Sequence, residues 1–201
     1  GFTGSGAFLQ DRGLYTVCDD RRVTNARTPY AKRAAVYFTG ATGNYASTPD
    51  VAALDITGDL FLSAELALDD WTPAAVQNVL NKIGSGQNSY RLYVAGTTGK
   101  VGLLWTADGS PFLSRESTVA PTIANAAWLH IAAHLDVDNG ASGHTVTFLA
   151  SVDGATWDPL GTPVVTAGTT SVFSGTAGVY VGVSNDGASG PIAGKVASAT
   201  I

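Results

Sequence analysis

The run that decides the fold reads Trp128-Leu129-His130-Ile131-Ala132-Ala133-His134-Leu135-Asp136-Val137. Apolar side chains occupy every second position of this run, and such a period is typical of a strand with one buried face. The run at residues 144–152 repeats the pattern. Between the two runs, Asn139-Gly140 and Ser142-Gly143 supply the residues that tolerate the positive φ of a tight turn. The sequence therefore predicts a long β-hairpin.

Segments with the same alternation recur along the chain from residue 34 onward. Turn residues separate them about every 8 to 12 positions, which is typical of sandwiches and jelly rolls. The composition agrees, since 45% of the residues are hydrophobic and 24 are Gly. Residues 51–54 are predicted as one helical turn, and residues 76–83, which lack clean alternation, are left ambiguous, with a helical turn followed by a strand as one interpretation. We therefore predict an all-β fold, a two-sheet antiparallel jelly-roll sandwich over residues 34–201.

The first 33 residues differ from the rest in hydrophobic pattern and in charge. They have no sustained period, so we predict an irregular, extended arm or linker with one short strand at residues 14–17. The segment holds six basic and three acidic residues, whereas the remainder holds five basic and thirteen acidic ones. A basic arm on an acidic body is suited to docking on an acidic partner, and a solvated segment without a partner is the alternative. The residues assigned to docking are Arg21, Arg22, Arg27, Lys32 and Arg33.

Composition also excludes several classes of function. The body lacks the cationic stripe that phosphate neutralisation needs, and the net charge of the chain is -5, so we expect no nucleic-acid partner. No apolar run reaches about 18 residues, so no membrane span is expected. The single cysteine, Cys18, rules out an intrachain disulfide framework. The chain has no Met, so Gly1 is expected to be a processed end or the start of a portion of a longer protein.

No motif in the chain predicts catalysis. His130 and His134 have the spacing of a helical zinc pair, but residues four apart on a strand are separated by about 13 Å, too far to share one ion. Glu65, Asp69 and Asp70 are the nearest acidic candidates for a glycosidase. Their arrangement does not supply the two facing carboxyl groups that glycoside hydrolysis requires. We therefore assign no catalytic residue and expect a protein that is not an enzyme.

Loop residues are the candidates for ligand binding. Trp71 and Trp157 follow turn signals, so their rings are candidates for stacking on a sugar, with core packing as the alternative. Oxygen ligands for calcium are available in the segment 136–139 and at Asn185 and Asp186, although these residue types are also ordinary turn formers. The assigned ligand-binding residues are Trp71, Trp157 and Asp186. The metal is left unassigned, and calcium is the one cofactor that stays open.

Several runs carry a resemblance to a known fold family. They are Tyr45-Ala46-Ser47-Thr48-Pro49-Asp50, Leu54-Asp55-Ile56-Thr57-Gly58-Asp59-Leu60, Trp128-Leu129-His130-Ile131-Ala132 and Ser151-Val152-Asp153-Gly154. Together they resemble the laminin-G/concanavalin A-like jelly roll over residues 34–201. The resemblance implies that the first and last strands of the domain pair, residues 35–39 with residues 194–201. It also implies binding of carbohydrate or protein through loops, sometimes with calcium.

A narrower resemblance concerns the turns around the hairpin. Asp136-Val137-Asp138-Asn139-Gly140, Thr145-Val146-Thr147-Phe148 and Asp153-Gly154-Ala155-Thr156-Trp157 are similar to laminin-G-like modules in tail and minor structural proteins of actinobacterial phages. This implies a non-enzymatic structural or adhesion module of a virion, for tail or capsid decoration. Its partners would be other virion proteins, reached through the arm, and a cell-surface glycan, in an oligomeric assembly. The alternative is a carbohydrate-binding module or a remnant glycan hydrolase of a secreted, extracellular bacterial protein.

Overall fold

The computed structural model describes residues 6–10, 13–17, 34–184 and 187–201. The chain divides into two compact units, Gly1–Ala34 and Ala35–Ile201, and we call the second the sandwich unit. The first unit contains an antiparallel hairpin of β1 (Gly6–Gln10) and β2 (Gly13–Val17). The sequence predicted one strand in this region, within an irregular arm. That prediction was incomplete, because residues 6–10 form a second strand. This stretch has little alternation of apolar and polar residues, so it contains no strand signal.

The sandwich unit consists of two antiparallel sheets. Its strands, in chain order, are β3 (Val36–Thr39), β4 (Ala46–Thr48), β5 (Leu60–Leu68), β6 (Gln77–Lys82), β7 (Tyr90–Val94), β8 (Val101–Trp105), β9 (Leu113–Glu116), β10 (Leu129–Asp136), β11 (Gly143–Ser151), β12 (Asp158–Pro159), β13 (Val164–Ala167), β14 (Val179–Val181) and β15 (Ala193–Thr200). One sheet has seven strands in the order β12-β11-β10-β5-β15-β3, with β13 also paired to β11. The other has six strands in the order β4-β14-β6-β7-β8-β9. A single 3₁₀ turn, Ala52–Leu54, lies where a helical turn was predicted.

The inner faces of the two sheets form one hydrophobic core. Leu62 and Leu66 of β5 are fully buried, as are Leu103 and Trp105 of β8 in the facing sheet. Each such side chain contributes about 1.5 to 3 kcal/mol by leaving water. Membership of the core follows the predicted alternation in both strands, so the period of the sequence determines which face is buried. The predicted jelly-roll sandwich is therefore confirmed.

The last strand closes the sandwich beside the first. β15 pairs with β3, with Val196 opposite Val36 and Ala193 opposite Thr39. On its other side β15 pairs with β5. The pairing of the first and last strands that the resemblance implied is confirmed.

Strand β6 occupies most of the segment 76–83, whose secondary structure the sequence pattern left open. All six of its side chains are buried, including the polar Asn78, Asn81 and Lys82. The pairing with β7 also shifts register between Asn78 and Leu80, which interrupts the alternation. A strand covered on both faces and broken by a bulge shows no two-residue period, and this explains why the sequence alone did not identify it.

The predicted hairpin of β10 and β11 is also present. Ile131 lies opposite Ala150, and Leu135 lies opposite Val146. In the connecting turn Gly140 has φ 71° and Ser142 has φ 56°. Ser142, and not the glycine that follows it, therefore adopts the left-handed conformation in the second half of the turn.

Candidate functional site

The structure places the two predicted tryptophans in different environments. Trp71 is only 3% exposed and belongs to the core. Its indole Nε1 donates a hydrogen bond to the Ala127 carbonyl at 3.4 Å, and its main-chain nitrogen donates to Asn125 Oδ1 at 3.0 Å. A ring in this position offers no stacking surface to a sugar. Trp157 is half-buried and packs edge-on to His130, with 6.1 Å between the ring centroids.

The remaining predicted ligand residues lie outside the part of the chain that the structure describes. Asp186 falls in the gap between residues 184 and 187. The arm residues assigned to docking fall within 18–33, which is also not described; they are Arg21, Arg22, Arg27, Lys32 and Arg33. Their assignments stay predictions.

The two histidines of β10 lie on the half-buried face of the seven-stranded sheet, as the strand interpretation predicted. His130 Nε2 is 3.7 Å from Glu65 Oε1 on β5, whereas His134 lies opposite Phe61 on the same strand. The two imidazoles therefore have different neighbours. Within the described ranges, no group of three His, Cys, Asp or Glu side chains is placed to hold a metal ion. Within the same ranges, no helix is long and apolar enough to cross a membrane.

The oxygens of the segment 136–139 that were proposed for calcium are used inside their own turns, whereas Asn185 and Asp186 lie outside the described residues. Asp136 Oδ1 accepts from the main-chain nitrogen of Asp138 at 3.2 Å, and Asp138 Oδ1 accepts from Gly140 at 3.2 Å. Asn139 Oδ1 accepts from Ala141 at 3.0 Å. These are Asx turns, in which the side chain holds the backbone two residues further on.

Two depressions lie on the seven-stranded side of the sandwich unit. A shallow one of about 450 Å³ lies at the tip of the β10–β11 hairpin against Gly168 and Thr169. A groove of about 330 Å³ runs between the segment 121–123 and the start of β12. The floor of the groove is apolar, from Leu129, Ala150 and Leu160. Neither depression contains a buried polar group left without a partner.

The outer face of the six-stranded sheet, unlike the two depressions, contains buried polar atoms without a hydrogen-bond partner. Core-facing Tyr90 and Leu92 alternate with Arg91 along β7, so Arg91 points away from the core. Arg91 lies opposite Asn81 of β6, and Asn81 lies opposite Tyr180 of β14. We call Tyr180, Asn81 and Arg91 the outer-face row. It crosses three neighbouring strands at the centre of the sheet.

A second tyrosine extends the row at the Tyr180 end. Tyr45, just before β4, meets Tyr180 edge to face, with 5.5 Å between the ring centroids. Tyr45 is 41% exposed and Tyr180 is half-buried. Both rings are therefore accessible from solvent while their positions are fixed by each other.

Two buried polar atoms of the row have no hydrogen-bond partner among the described residues. The Asn81 amide nitrogen donates to the carbonyls of Tyr180, at 3.3 Å, and of Val183. Its carbonyl oxygen Oδ1 is buried and accepts nothing. Arg91 Nε, on the directly opposed residue, is buried and donates to nothing. An unpartnered donor and an unpartnered acceptor therefore lie side by side on adjacent strands, where such groups are normally satisfied.

Tyr93 supports Arg91 from the neighbouring position on the same face. The Arg91 guanidinium lies 5.4 Å from the centroid of the Tyr93 ring. The phenol oxygen of Tyr93 is 2.9 Å from Ser114 Oγ and donates to Glu116 Oε1 at 3.2 Å. Burial raises the pKa of Tyr93, and burial lowers the pKa of Arg91. Both directions follow from the loss of solvation of the charged form.

A buried ion cluster lies at the end of β6, on the opposite face of the sheet from the row. The Lys82 ammonium, next to Asn81 on β6, binds the Asp50 carboxylate and lies 3.3 Å from Asp55 Oδ1. It also donates to the Ala177 carbonyl at 2.9 Å. Tyr90 donates from its hydroxyl to the Leu54 carbonyl at 3.0 Å, so the segment 50–55 is held at both ends. The cluster holds one ammonium between two carboxylates that are each about a quarter exposed.

Sequence reasoning missed the outer-face row, although part of its signal was present. In Tyr90-Arg91-Leu92-Tyr93-Val94 the residues that alternate with the core are an arginine and a tyrosine, which places a cation and an aromatic ring on the same face. The opposition of Arg91 to Asn81 could not be anticipated, because the bulge in β6 sets the register. The register of β6 against β7 can be read only from the three-dimensional structure.

Comparisons with known proteins agree with the fold. No protein-family model and no curated protein sequence matches the chain. A carbohydrate-binding domain, CBM40 of the Ruminococcus gnavus IT-sialidase bound to alpha2,3 sialyllactose, superposes with a TM-score of 0.56. The identity is 14%, over 82% of this chain and 88% of that chain. The heptameric SAP-like pentraxin of Limulus polyphemus gives a TM-score of 0.53 at 12% identity, over 83% of this chain and 74% of that chain.

The likeness shows the fold alone. Both solved structures are β-sandwiches, and the chain shares that architecture across most of their lengths. Identities of 12% and 14% carry no ligand residue from one chain to the other.

Proposed function

We propose that the sandwich unit is a glycan-binding module that holds its sugar on the outer face of the six-stranded sheet, at the outer-face row. The carrying observation is the pair of solvent-accessible rings, Tyr45 and Tyr180, which hold each other in place at one end of the row. These rings offer apolar faces to the C–H groups of a sugar ring. The half-buried Arg91 lies at the other end of the row, whereas Asn81 between them is fully buried and holds the Tyr180 and Val183 carbonyls.

The structural neighbours support a glycan as the ligand. The CBM40 domain that superposes on this chain was solved with alpha2,3 sialyllactose and with alpha2,6 sialyllactose. A jelly roll of this size is thus a scaffold on which a sugar is known to bind. The predicted alternative, a carbohydrate-binding module, accordingly has more support than the virion role.

The proposed module binds its glycan without cleaving it. Glycoside hydrolysis requires two carboxyl groups facing each other across the scissile bond. The strands of the six-stranded sheet, all of them described, contain a single carboxylate, that of Glu116. Glu116 accepts from the Tyr93 hydroxyl and is exposed.

The biological setting stays a prediction. A virion adhesion module and a secreted binding module would both present a sugar-binding sheet to solvent, so the outer-face row fits either. The laminin-G-like and phage resemblances, and the docking of the N-terminal arm on other virion proteins, belong to the same prediction.

A glycan array tests the proposal, using the full chain with and without calcium. We expect binding to one class of glycan, and we expect Tyr180→Ala to weaken it by about fivefold, since a lost aromatic contact is worth about 1 kcal/mol. Phe61→Ala is the matched control, because Phe61 is a 42% exposed aromatic on the outer face of the other sheet. Silence of the folded protein across the array, or equal losses in both variants, would refute the proposal.

A further inference from the structure

Among the described residues, Lys82 is the one lysine or arginine that is fully buried. It ends β6 and lies opposite Tyr90 of β7, whose ring belongs to the core. Its side chain has no exposed surface, so the ammonium has lost the hydration it has in the unfolded chain. Such a group is stable only through the protein groups that contact it.

Three protein groups surround the Lys82 ammonium. It binds the Asp50 carboxylate, donates to the Ala177 carbonyl at 2.9 Å and lies 3.3 Å from Asp55 Oδ1. One carboxylate balances its charge, so the second is in excess. Asp55 Oδ1 is itself buried and accepts no hydrogen bond from the described residues. It therefore has a free lone pair beside the ammonium, where it can take up a proton.

The surroundings of the ammonium favour the neutral forms of lysine and aspartate. The Tyr90 hydroxyl borders the same site and donates to the Leu54 carbonyl at 3.0 Å. Burial raises the pKa of Tyr90, and the charges of Asp55 and Asp50 raise it further. Loss of solvation destabilises every charged form, which promotes proton transfer from the ammonium to a carboxylate. The neutral amine that results is a nucleophile.

The contact between Lys82 and Asp50 places this nucleophile against a carboxyl group. Lys82 Nζ touches Asp50 Oδ1, so the carboxyl carbon is one bond further away. Groups held in reacting geometry have effective concentrations of about 10⁵ to 10⁸ M, which favours amide formation although separate acids and amines scarcely condense in water. The side chain of Asp50 is 27% exposed, so the water that the reaction releases can leave the site.

We propose that Lys82 and Asp50 join in an intramolecular amide bond, with Asp55 as the group that transfers the proton. The Lys82 amine attacks Asp50 Cγ, a new N–C bond forms, and one C–O bond of the carboxyl group breaks. Asp55 takes a proton from the attacking nitrogen and delivers it to the departing oxygen, which leaves as water. One ammonium and one carboxylate thus become one amide and one water, and Asp55 returns to its carboxylate form.

The bond would link the segment that follows β4 to the end of β6. It closes a covalent loop over residues 50–82, which contains all of β5. A cross-link between distant residues restricts the unfolded chain and so stabilises the folded one. The sandwich unit would gain a covalent brace without a disulfide, and the inference does not depend on glycan binding.

Intact-mass spectrometry of the denatured full chain tests the proposal after overnight incubation of the folded protein at neutral pH. We expect the wild type to be lighter than its sequence mass by one water molecule. Digestion with trypsin locates the bond, because an acylated lysine is not cleaved and residues 34–81 contain no Lys or Arg. A peptide of residues 34–91, lighter by one water, should replace the peptides 34–82 and 83–91.

Two variants separate the bond from the ion cluster. Lys82→Met lacks the nucleophile and should have its full sequence mass. Asp55→Asn keeps both reacting groups and the shape of the side chain, but it lacks the proton acceptor and should also have its full mass. Asp59→Asn is the matched control, because the exposed Asp59 of the same loop accepts instead from the Val137 nitrogen at 2.9 Å. This control should lose one water, as the wild type does, and thermal unfolding confirms that each variant is folded.

Three outcomes would contradict the inference. A wild type of full sequence mass would overturn it. So would a loss of water with normal cleavage after Lys82, because that result indicates a cyclic imide at an aspartate. A folded Asp55→Asn that still loses the water would overturn the role assigned to Asp55. The glycan array tests the proposed function separately, so failure of one leaves the other standing.

Discussion

The ring of Tyr93 lies directly on Gly102 of the neighbouring strand. A Cβ added to Gly102 would be 2.1 Å from Tyr93 Cζ and 2.5 Å from two further ring carbons. The ring therefore lies flat across β8 and reaches Ser114 and Glu116 on β9 with its hydroxyl. A glycine at this position lets one aromatic side chain span two strands and support the Arg91 guanidinium.

Gly102→Ala should consequently displace Tyr93 and weaken two properties together. The added methyl cannot coexist with the ring, so the 6% exposed Tyr93 must leave its site. We expect a loss of about 1 to 3 kcal/mol in the free energy of unfolding, measured in urea, from this overpacking. Glycan affinity should fall as well, because the guanidinium loses its support. Gly58→Ala is the control, since a Cβ there meets no atom within 4 Å. An unchanged stability of Gly102→Ala would contradict the flat placement of the ring.

The fold was largely predictable because β5 and β10 each bury one face. Their alternation gives the strand type, the core face and nearly the correct ends, and both strands lie in the middle of the seven-stranded sheet. β6 was not predictable, because both of its faces are covered and a bulge interrupts it. A two-residue period arises when one face of a strand is buried and the other is exposed to solvent, whereas both faces of β6 are buried.

The candidate site was not predictable for a related reason. Trp71 was predicted in a loop, yet Asn125 and Ala127 bind its backbone and indole and hold it in the core. Arg91 and Asn81 are separated by a loop in sequence, and their opposition depends on the register set by the bulge. An unpartnered polar atom is a property of three-dimensional packing, so it cannot be deduced from composition and spacing alone.

Lys82→Met is expected to be among the most destabilising single substitutions in the sandwich unit. The Lys82 side chain is fully buried, whereas the carboxylates of Asp50 and Asp55 are 27% and 28% exposed. Removing the ammonium leaves two partly buried carboxylates beside each other without a counter-charge. Breaking such a pair by deleting one partner costs about 3 kcal/mol.

Urea unfolding measures the loss of stability in Lys82→Met. The matched control is Lys100→Met, at a half-buried lysine in the turn after β7. A change of less than about 0.5 kcal/mol is expected for the control, as for other surface substitutions away from structural features. Equal stabilities of the two variants would show that the ion cluster does not hold the segment 50–55.

Asp153 should make the stability of the turn after β11 depend on pH. Its carboxylate accepts from the main-chain nitrogens of Ala155 and Thr156, each at 2.8 Å, and from the Ser151 hydroxyl at 2.9 Å. These bonds, led by that from Thr156, lower its pKa from 3.8 to about 2. A carboxyl whose pKa is lower in the folded state stabilises that state above its unfolded pKa. The contribution should therefore be complete above pH 3.8 and should be lost as the pH falls towards 2.

Thermal unfolding of wild type and Asp153→Asn as a function of pH tests this expectation. The wild type should be the more stable at neutral pH, and the difference between the two should shrink between pH 4 and pH 2, the range bounded by the two pKa values. Asp158→Asn is a control, because Asp158 is an exposed aspartate of the nearby β12. A constant difference across that range would mean that the charge of Asp153 does not stabilise the turn.

The β10–β11 turn yields a prediction of opposite sign. Ser142 has φ 56°, a left-handed conformation that a residue with a Cβ adopts only under strain. Ser142→Gly should raise the free energy of unfolding by about 1 kcal/mol or less, since relief of the strain exceeds the added entropy of the unfolded chain.

Gly143 is constrained differently, because a Cβ there would be 2.6 Å from the Thr166 carbonyl oxygen on β13. Gly143→Ala should therefore destabilise the protein by separating β11 from β13. Chemical unfolding of both variants and the wild type measures the two effects. A destabilising Ser142→Gly would show that Ser142 is not strained, and a neutral Gly143→Ala would show that β13 moves away from the added methyl group without loss.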